Sequence, residues 1–167
     1  MLLISNFLLT SMIICYANPI LIVYQNYENS FSISQIINHE KNKKTIIIYV
    51  LIFSFLTLLY ELNRNNKISF VIILFLLFGL FGVSITKENR KNLICWHNFF
   101  AICVFLSIYF FILYYTIIKS SIFLSILFII QNIISLICLK NINNKKFWCE
   151  TFLLLNFSII YIYLHFI

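Results

Sequence analysis

Along this chain, long apolar runs alternate with short polar breaks. The runs are Leu2 to Tyr24, Ile46 to Leu62, Ile68 to Thr86, Leu93 to Ile118, Ile122 to Leu139 and Phe147 to Ile167. Most are close to the roughly 20 apolar residues that carry a helix across a bilayer. Within hydrocarbon only helices and closed barrels satisfy their own backbone groups, and runs of this length point to helices. The breaks are compact. Glu61 and the turn Asn63-Arg64-Asn65-Asn66-Lys67 end the second run, and Lys87 to Asn92 separate the third from the fourth. Lys119-Ser120-Ser121 parts the fourth from the fifth, and Lys140 to Lys146 precede the sixth. A single helix through Lys119-Ser120-Ser121 would be about twice the bilayer thickness, so a tight helical hairpin is predicted there. The fourth run exceeds what a membrane needs, and its spanning part is expected from Phe99 onward. The pattern predicts an all-α integral membrane bundle of six transmembrane helices. It forms one domain over residues 1–167, with short connections, antiparallel neighbours and no soluble domain.

Two stretches modify this frame. Asn18-Pro19 falls in the last third of the first run, where a proline removes a backbone donor, so a kink or an end to the helix is expected. The first run also lacks a basic leader and a small-residue cleavage site, so it is expected to be a membrane helix rather than a cleaved signal. The longest connection, Gln25 to Thr45, contains Phe31-Ser32-Ile33-Ser34-Gln35-Ile36-Ile37. Its alternation predicts a short interfacial segment, helical or extended, along the membrane surface.

Composition supports the membrane reading. Apolar residues make up 62% and charged residues 10%, against about a quarter charged in soluble domains. A net charge of +7 raises nucleic acid as a partner, but the basic residues sit singly or in short groups between apolar runs. They read as positive-inside anchors, and nucleic acid is excluded. Lys41, Lys43, Lys44, Lys87, Arg90, Lys91, Lys140, Lys145 and Lys146 lie in the odd connections. Arg64, Lys67 and Lys119 lie in the even ones. Nine against three places the odd connections in the cytoplasm and both termini outside. The five cysteines show no spacing typical of a disulfide framework or a zinc module. Cys15, Cys103 and Cys138 read as small hydrophobes inside the runs. Cys95 and Cys149, near run ends, are either reduced thiols or a disulfide joining the fourth helix to the sixth.

Candidate chemistry is sparse. His97 follows Trp96 at the start of the fourth run, beside Asn98. It is either an interfacial histidine in a headgroup belt or a polar anchor facing the bundle interior. Acid–base work would need a second group within hydrogen-bond reach. His39, Glu40, Glu88 and Glu150 share its side of the membrane, but no motif spacing ties them to it. His39, His97, Cys95 and Cys149 likewise show no metal-ligand spacing. No catalytic residue, metal site or cofactor is assigned. Gly79 and Gly82, the two glycines of the chain, lie on about one helix face and predict a close helix–helix contact rather than a hinge. Gln131, Asn132 and Asn156 are intramembrane amides, which usually bond to a neighbouring helix. No charged residue lies mid-span, which argues against a proton-coupled transporter or a voltage sensor.

These residues together resemble the DRAM/Frag/Sfk type of six-span membrane protein. Ile33-Ser34 follows the first helix in a long loop, Gly79 and Gly82 close the third, and His97 to Ala101 open the fourth as His-x-x-x-Ala. The resemblance implies a non-enzymatic membrane factor linked to autophagy, lipid organisation or anchor remodelling, with His97, Asn98, Ile33 and Ser34 forming its polar, lipid-facing site. It also implies cytoplasmic termini, opposite to the basic-residue bias. Expected partners are membrane lipids, with other membrane proteins or a second copy of the chain. The alternative is a small transporter or channel subunit using Gln131, Asn132 and Asn156. A lipid-modifying enzyme ranks third: Trp96-His97 resembles seven-span lipid amidases, but the further histidines and intramembrane acid of that chemistry are missing.

Overall fold

A computed structural model describes residues 2–26, 32–37, 40–86, 91–140 and 142–167. Those residues form seven helices: α1 (Leu2–Gln25), α2 (Ile33–Ile37), α3 (Glu40–Arg64), α4 (Lys67–Ile85), α5 (Lys91–Lys119), α6 (Ile122–Lys140) and α7 (Ile142–Phe166). Five contain stretches long and apolar enough to cross a membrane: Leu3–Gln25, Lys43–Arg64, Lys67–Ile85, Cys95–Lys119 and Phe147–Phe166. This is compatible with a multi-pass membrane protein. The described apolar part of α6, Ile122–Ile137, is shorter.

The helices α3 and α7 start several residues before the apolar runs from which they were predicted. Hydropathy marks where a helix becomes apolar, and the backbone ladder continues past that point into the polar flank. The seventh helix is α2, a five-residue turn within the stretch expected to be interfacial. Its Ser34 and Ile36 are buried, as is Ser32 just before it. The proline expectation is half corrected, because α1 does not end at Asn18-Pro19 and runs on to Gln25 with Pro19 inside it. The Asn18 amide donates to the Ile14 carbonyl across 3.3 Å.

Asparagine and serine chemistry makes the turns. Between α3 and α4, Asn65 takes the left-handed conformation (φ 54), which asparagine tolerates better than most residues. Its N–H donates to the Leu62 carbonyl, 3.3 Å. Asn66 then caps α4, accepting the Ser69 N–H at 3.1 Å. Between α5 and α6, Ser120 takes the left-handed turn (φ 44).

The chain forms two compact units, Met1–Tyr27 with Ser34–Ser107, and Glu28–Ile33 with Ile108–Ile167. In the first, α3 packs against α1 and α4 around Met12, Ile46, Tyr60 and Ile73. The α1–α3 contact includes the Tyr16 and Phe53 rings, 5.7 Å apart. In the second, α6 packs on α7. Phe111 sits at the centre of an aromatic core, with ring centroids 4.9 Å from Tyr115, 5.3 Å from Phe157 and 5.6 Å from Tyr161. Offset and edge contacts at these distances add to simple burial.

Candidate functional site

Three polar clusters interrupt the apolar packing. The first was not singled out from the sequence. Glu61, read there as the residue that ends the second run, is buried, and its side chain has 0% exposure. Its Oε2 accepts the Ser69 hydroxyl proton at 2.6 Å, and its Oε1 pairs with the Arg64 guanidinium at 3.4 Å. Arg64 also lies over the Tyr60 ring, 5.8 Å from its centre. The α3–α4 hairpin creates this geometry: Glu61 sits one turn before the α3 terminus, and Ser69 one turn after the cap of α4. Two residues after Glu61, the Asn63 amide donates to Ser5 Oγ at 2.5 Å, tying α3 to α1. A buried carboxylate is costly unless paired and hydrogen-bonded, and here it is both. The signal available in the sequence was the spacing of Thr57, Tyr60, Glu61 and Arg64, which places four polar-tipped residues on one face of an otherwise apolar helix.

The second cluster gathers at the other end of α4. Gly79 and Gly82 let α4 close on α5. A Cβ on Gly79 would come within 2.8 Å of Val104 Cγ2 and 2.9 Å of the Phe100 carbonyl oxygen, and one on Gly82 would overlap the Phe100 ring. Phe100 stacks edge-on against Phe78 at 5.3 Å. Just beyond, the Thr86 hydroxyl donates to the Gly82 carbonyl at 2.7 Å and lies 3.2 Å from His97 Nδ1. A hydroxyl has one proton, so this network assigns the donated proton of the second bond to Nδ1. Lys43 Nζ donates to the Ile85 carbonyl at 3.0 Å, placing a cation on the negative end of α4.

His97 is 1% exposed. The ring turns inward and meets Thr86, while its neighbour Trp96 is 58% exposed. Successive helical residues differ by about 100° in direction, and Asn98 faces outward and is exposed. The structure thus does not give His97 and Asn98 a common environment. Ser34 is buried, and the Ile33 N–H donates to Glu150 Oε2 at 2.8 Å. His39 and Glu88 lie outside the described residues.

The third cluster joins α6 to α7. The Asn156 amide donates to Gln131 Oε1 at 2.8 Å and to the Leu127 carbonyl at 3.1 Å. Both side chains are buried. Asn132 is different, since its amide donates to Phe128 of its own helix at 2.8 Å. The structure brings two of the three amides expected to be intramembrane together and leaves the third bonded along α6. Near the α5–α6 turn, the Ser121 and Tyr163 hydroxyls lie 3.3 Å apart.

Cys95 is a free, exposed thiol, and Cys15 and Cys103 are also free. Cys149 is in a disulfide, so the imagined bond between Cys95 and Cys149 is not formed. Among the described residues, no group of three or more His, Cys, Asp and Glu side chains is placed to hold a metal ion. In comparisons with known proteins, no family model, curated protein or solved structure matches this chain.

Proposed function

We propose that the chain is a six-span integral membrane protein that organises membrane lipids or partner helices without carrying out bond-making chemistry. The sixth span is α6. Its 19 residues extend about 28 Å at 1.5 Å per residue, close to the roughly 30 Å of hydrocarbon.

The observation that carries this reading is where the buried polar side chains direct their hydrogen bonds. Glu61 closes on Ser69 and Arg64, His97 on Thr86, and Asn156 on Gln131. Each is tied to a residue of the protein, and all three ties link helices that follow one another in the chain. Acid–base or nucleophilic catalysis instead needs a group poised toward a substrate. The resemblance to DRAM/Frag/Sfk proteins, through Ile33-Ser34, Gly79, Gly82 and His97, supports the same reading.

The test is reconstitution into liposomes with two assays, flux of small solutes and turnover of labelled lipids. Neither activity is expected. Flux that disappears in Gln131→Leu would establish the transporter reading instead. Lipid turnover that disappears in His97→Ala would establish an enzyme.

Two signals bear on orientation. The nine-to-three basic bias puts the Cys95 end in the cytoplasm. A disulfide at Cys149 is a bond of oxidising compartments, and with six spans it puts the same end outside. Labelling of Cys95 by an impermeant thiol reagent decides between them: reaction only in opened cells supports the charge bias, and reaction in intact cells supports the disulfide.

A further inference from the structure

We propose that the α3–α4 hairpin holds the phosphate of an anionic phospholipid headgroup. The inference rests on the membrane reading above, which places this hairpin at headgroup depth. Between the end of α3 and the start of α4 lies a cavity of about 300 Å³ lined in part by Asn65, Asn66 and Lys67 and by Leu62, Phe70 and Val71. The polar three occupy the turn. The apolar three continue onto the helix sides, where Leu62 is 61% and Val71 50% exposed. A site with polar groups at the turn and apolar walls along the spans has the shape of an amphiphile. A free anion would leave the apolar walls unused.

Charge selects the headgroup. Glu61 also lines the cavity, but its side chain has no exposed surface and its carboxylate is engaged by Arg64 and Ser69. The cavity therefore offers no accessible carboxylate to a choline or an ammonium group. Lys67 is exposed and forms no ion pair among the described residues. Its ammonium and the Asn65 amide supply donors to phosphate oxygens. The backbone N–H groups of the first turn of α4 point toward the same end and favour an anion there. Arg64 over the Tyr60 ring holds the compensating charge in place, so the floor of the cavity stays neutral while the rim stays positive.

The test uses the full chain purified in mild detergent, with retention of phosphatidylglycerol, phosphatidylcholine and inorganic phosphate read by native mass spectrometry. Phosphatidylglycerol is expected to be retained preferentially. Lys67→Ala is expected to lose about fivefold of that retention, the factor one basic side chain supplies at an anionic surface. Lys67→Arg is expected to restore most of it. Lys119→Ala removes the same charge at the α5–α6 turn without touching the cavity and is expected to change little. Equal losses in Lys67→Ala and Lys119→Ala would overturn the site, leaving only bulk charge attraction. Equal retention of phosphatidylcholine, or displacement of the lipid by inorganic phosphate at matched concentration, would overturn the anionic-lipid assignment. Alkaline extraction of native membranes separates this from the broader reading. Release of the chain sinks the membrane reading itself, whereas a chain that stays in the pellet with unchanged retention in Lys67→Ala sinks only the headgroup site.

Discussion

The Glu61 cluster at the α3–α4 hairpin and the Gln131–Asn156 pair between α6 and α7 solve the same problem with different chemistry. Each is a polar tie between successive helices that are otherwise apolar. The first is ionic and lies within one turn of a helix end. The second is neutral and lies in the middle of both helices. An uncharged amide pair satisfies itself within hydrocarbon. A carboxylate needs a counter-charge and a hydroxyl, and the hairpin supplies both because it brings Arg64 and Ser69 to the same point. Charge is therefore affordable in this protein where a turn concentrates polar partners. Neutral amides serve where only a facing helix is available.

The largest effect should come from breaking the ionic tie. Glu61→Leu leaves the Ser69 hydroxyl without its acceptor and Arg64 without its counter-charge. Loss of one partner of a fully buried pair costs roughly 3–5 kcal/mol, and because Arg64 keeps 17% side-chain exposure the expected cost is about 2–3 kcal/mol. Glu61→Gln retains an acceptor for Ser69 and is expected to lose only about 1 kcal/mol. Equilibrium unfolding in mixed micelles measures both. If Glu61→Gln, which keeps the acceptor but lacks the charge, were as stable as the unaltered chain, the ionic character of the hairpin tie would be irrelevant and the contrast with the amide pair would collapse.

The glycine contact ranks next and sharpens the comparison by removing polarity altogether. Gly79→Ala forces a methyl against the backbone of α5, which cannot move aside locally, and overpacking of this kind costs about 1–3 kcal/mol. Gly82→Ala meets the Phe100 ring instead. A second change, Phe100→Ala, should therefore rescue the Gly82 variant and leave the Gly79 variant unrescued. Rescue of both would mean that α4 and α5 are held apart by side chains rather than by backbone contact.

The amide tie comes third. Gln131→Leu removes the bond to Asn156, while Asn156 keeps its bond to the Leu127 carbonyl. Amide bonds between membrane helices contribute about 0.6 kcal/mol on average and up to about 1.7 kcal/mol. A double-mutant cycle with Asn156→Leu isolates the shared term. A coupling as large as the loss in Glu61→Leu would show that depth, not charge, sets the strength of these ties.

Much of this architecture was legible from hydropathy, and the parts that were not share one cause. Apolar runs locate helices because a backbone in hydrocarbon has few other ways to satisfy its hydrogen bonds. The hairpin turn was visible because Asn63 to Lys67 are polar, and Gly79 and Gly82 stood out in a chain with no other glycine. Glu61 was passed over because hydropathy treats a charge at a run's end as a boundary rather than as a buried group. Its burial depends on Ser69, eight residues later, and on the turn that returns the chain. His97 was ambiguous for the same reason: Trp96 marks an interface, but the inward direction of the next residue follows from helix rotation and from Thr86. The short helix α2 was foreseen only as one of two options, since five residues are too few for periodicity to decide.

The smallest effect tests the rule at a single step along α6. Gln131 and Asn132 are adjacent amides of similar polarity at the same depth, and hydropathy treats them alike. The structure does not: Gln131 is 2% exposed and accepts from α7, whereas Asn132 is only half-buried and donates to its own helix. Replacing Asn132 by Leu removes no bond between helices and adds apolar surface, so the expected change is within about 0.5 kcal/mol. It also restores a better helix former at that position, which offsets part of the loss. Measured beside Gln131→Leu in the same micelles, the pair separates polarity from partnership. A loss in Asn132→Leu as large as in Gln131→Leu would mean that α6 tolerates neither change for a reason common to both amides, and the tie to Asn156 would no longer explain why one of them is buried.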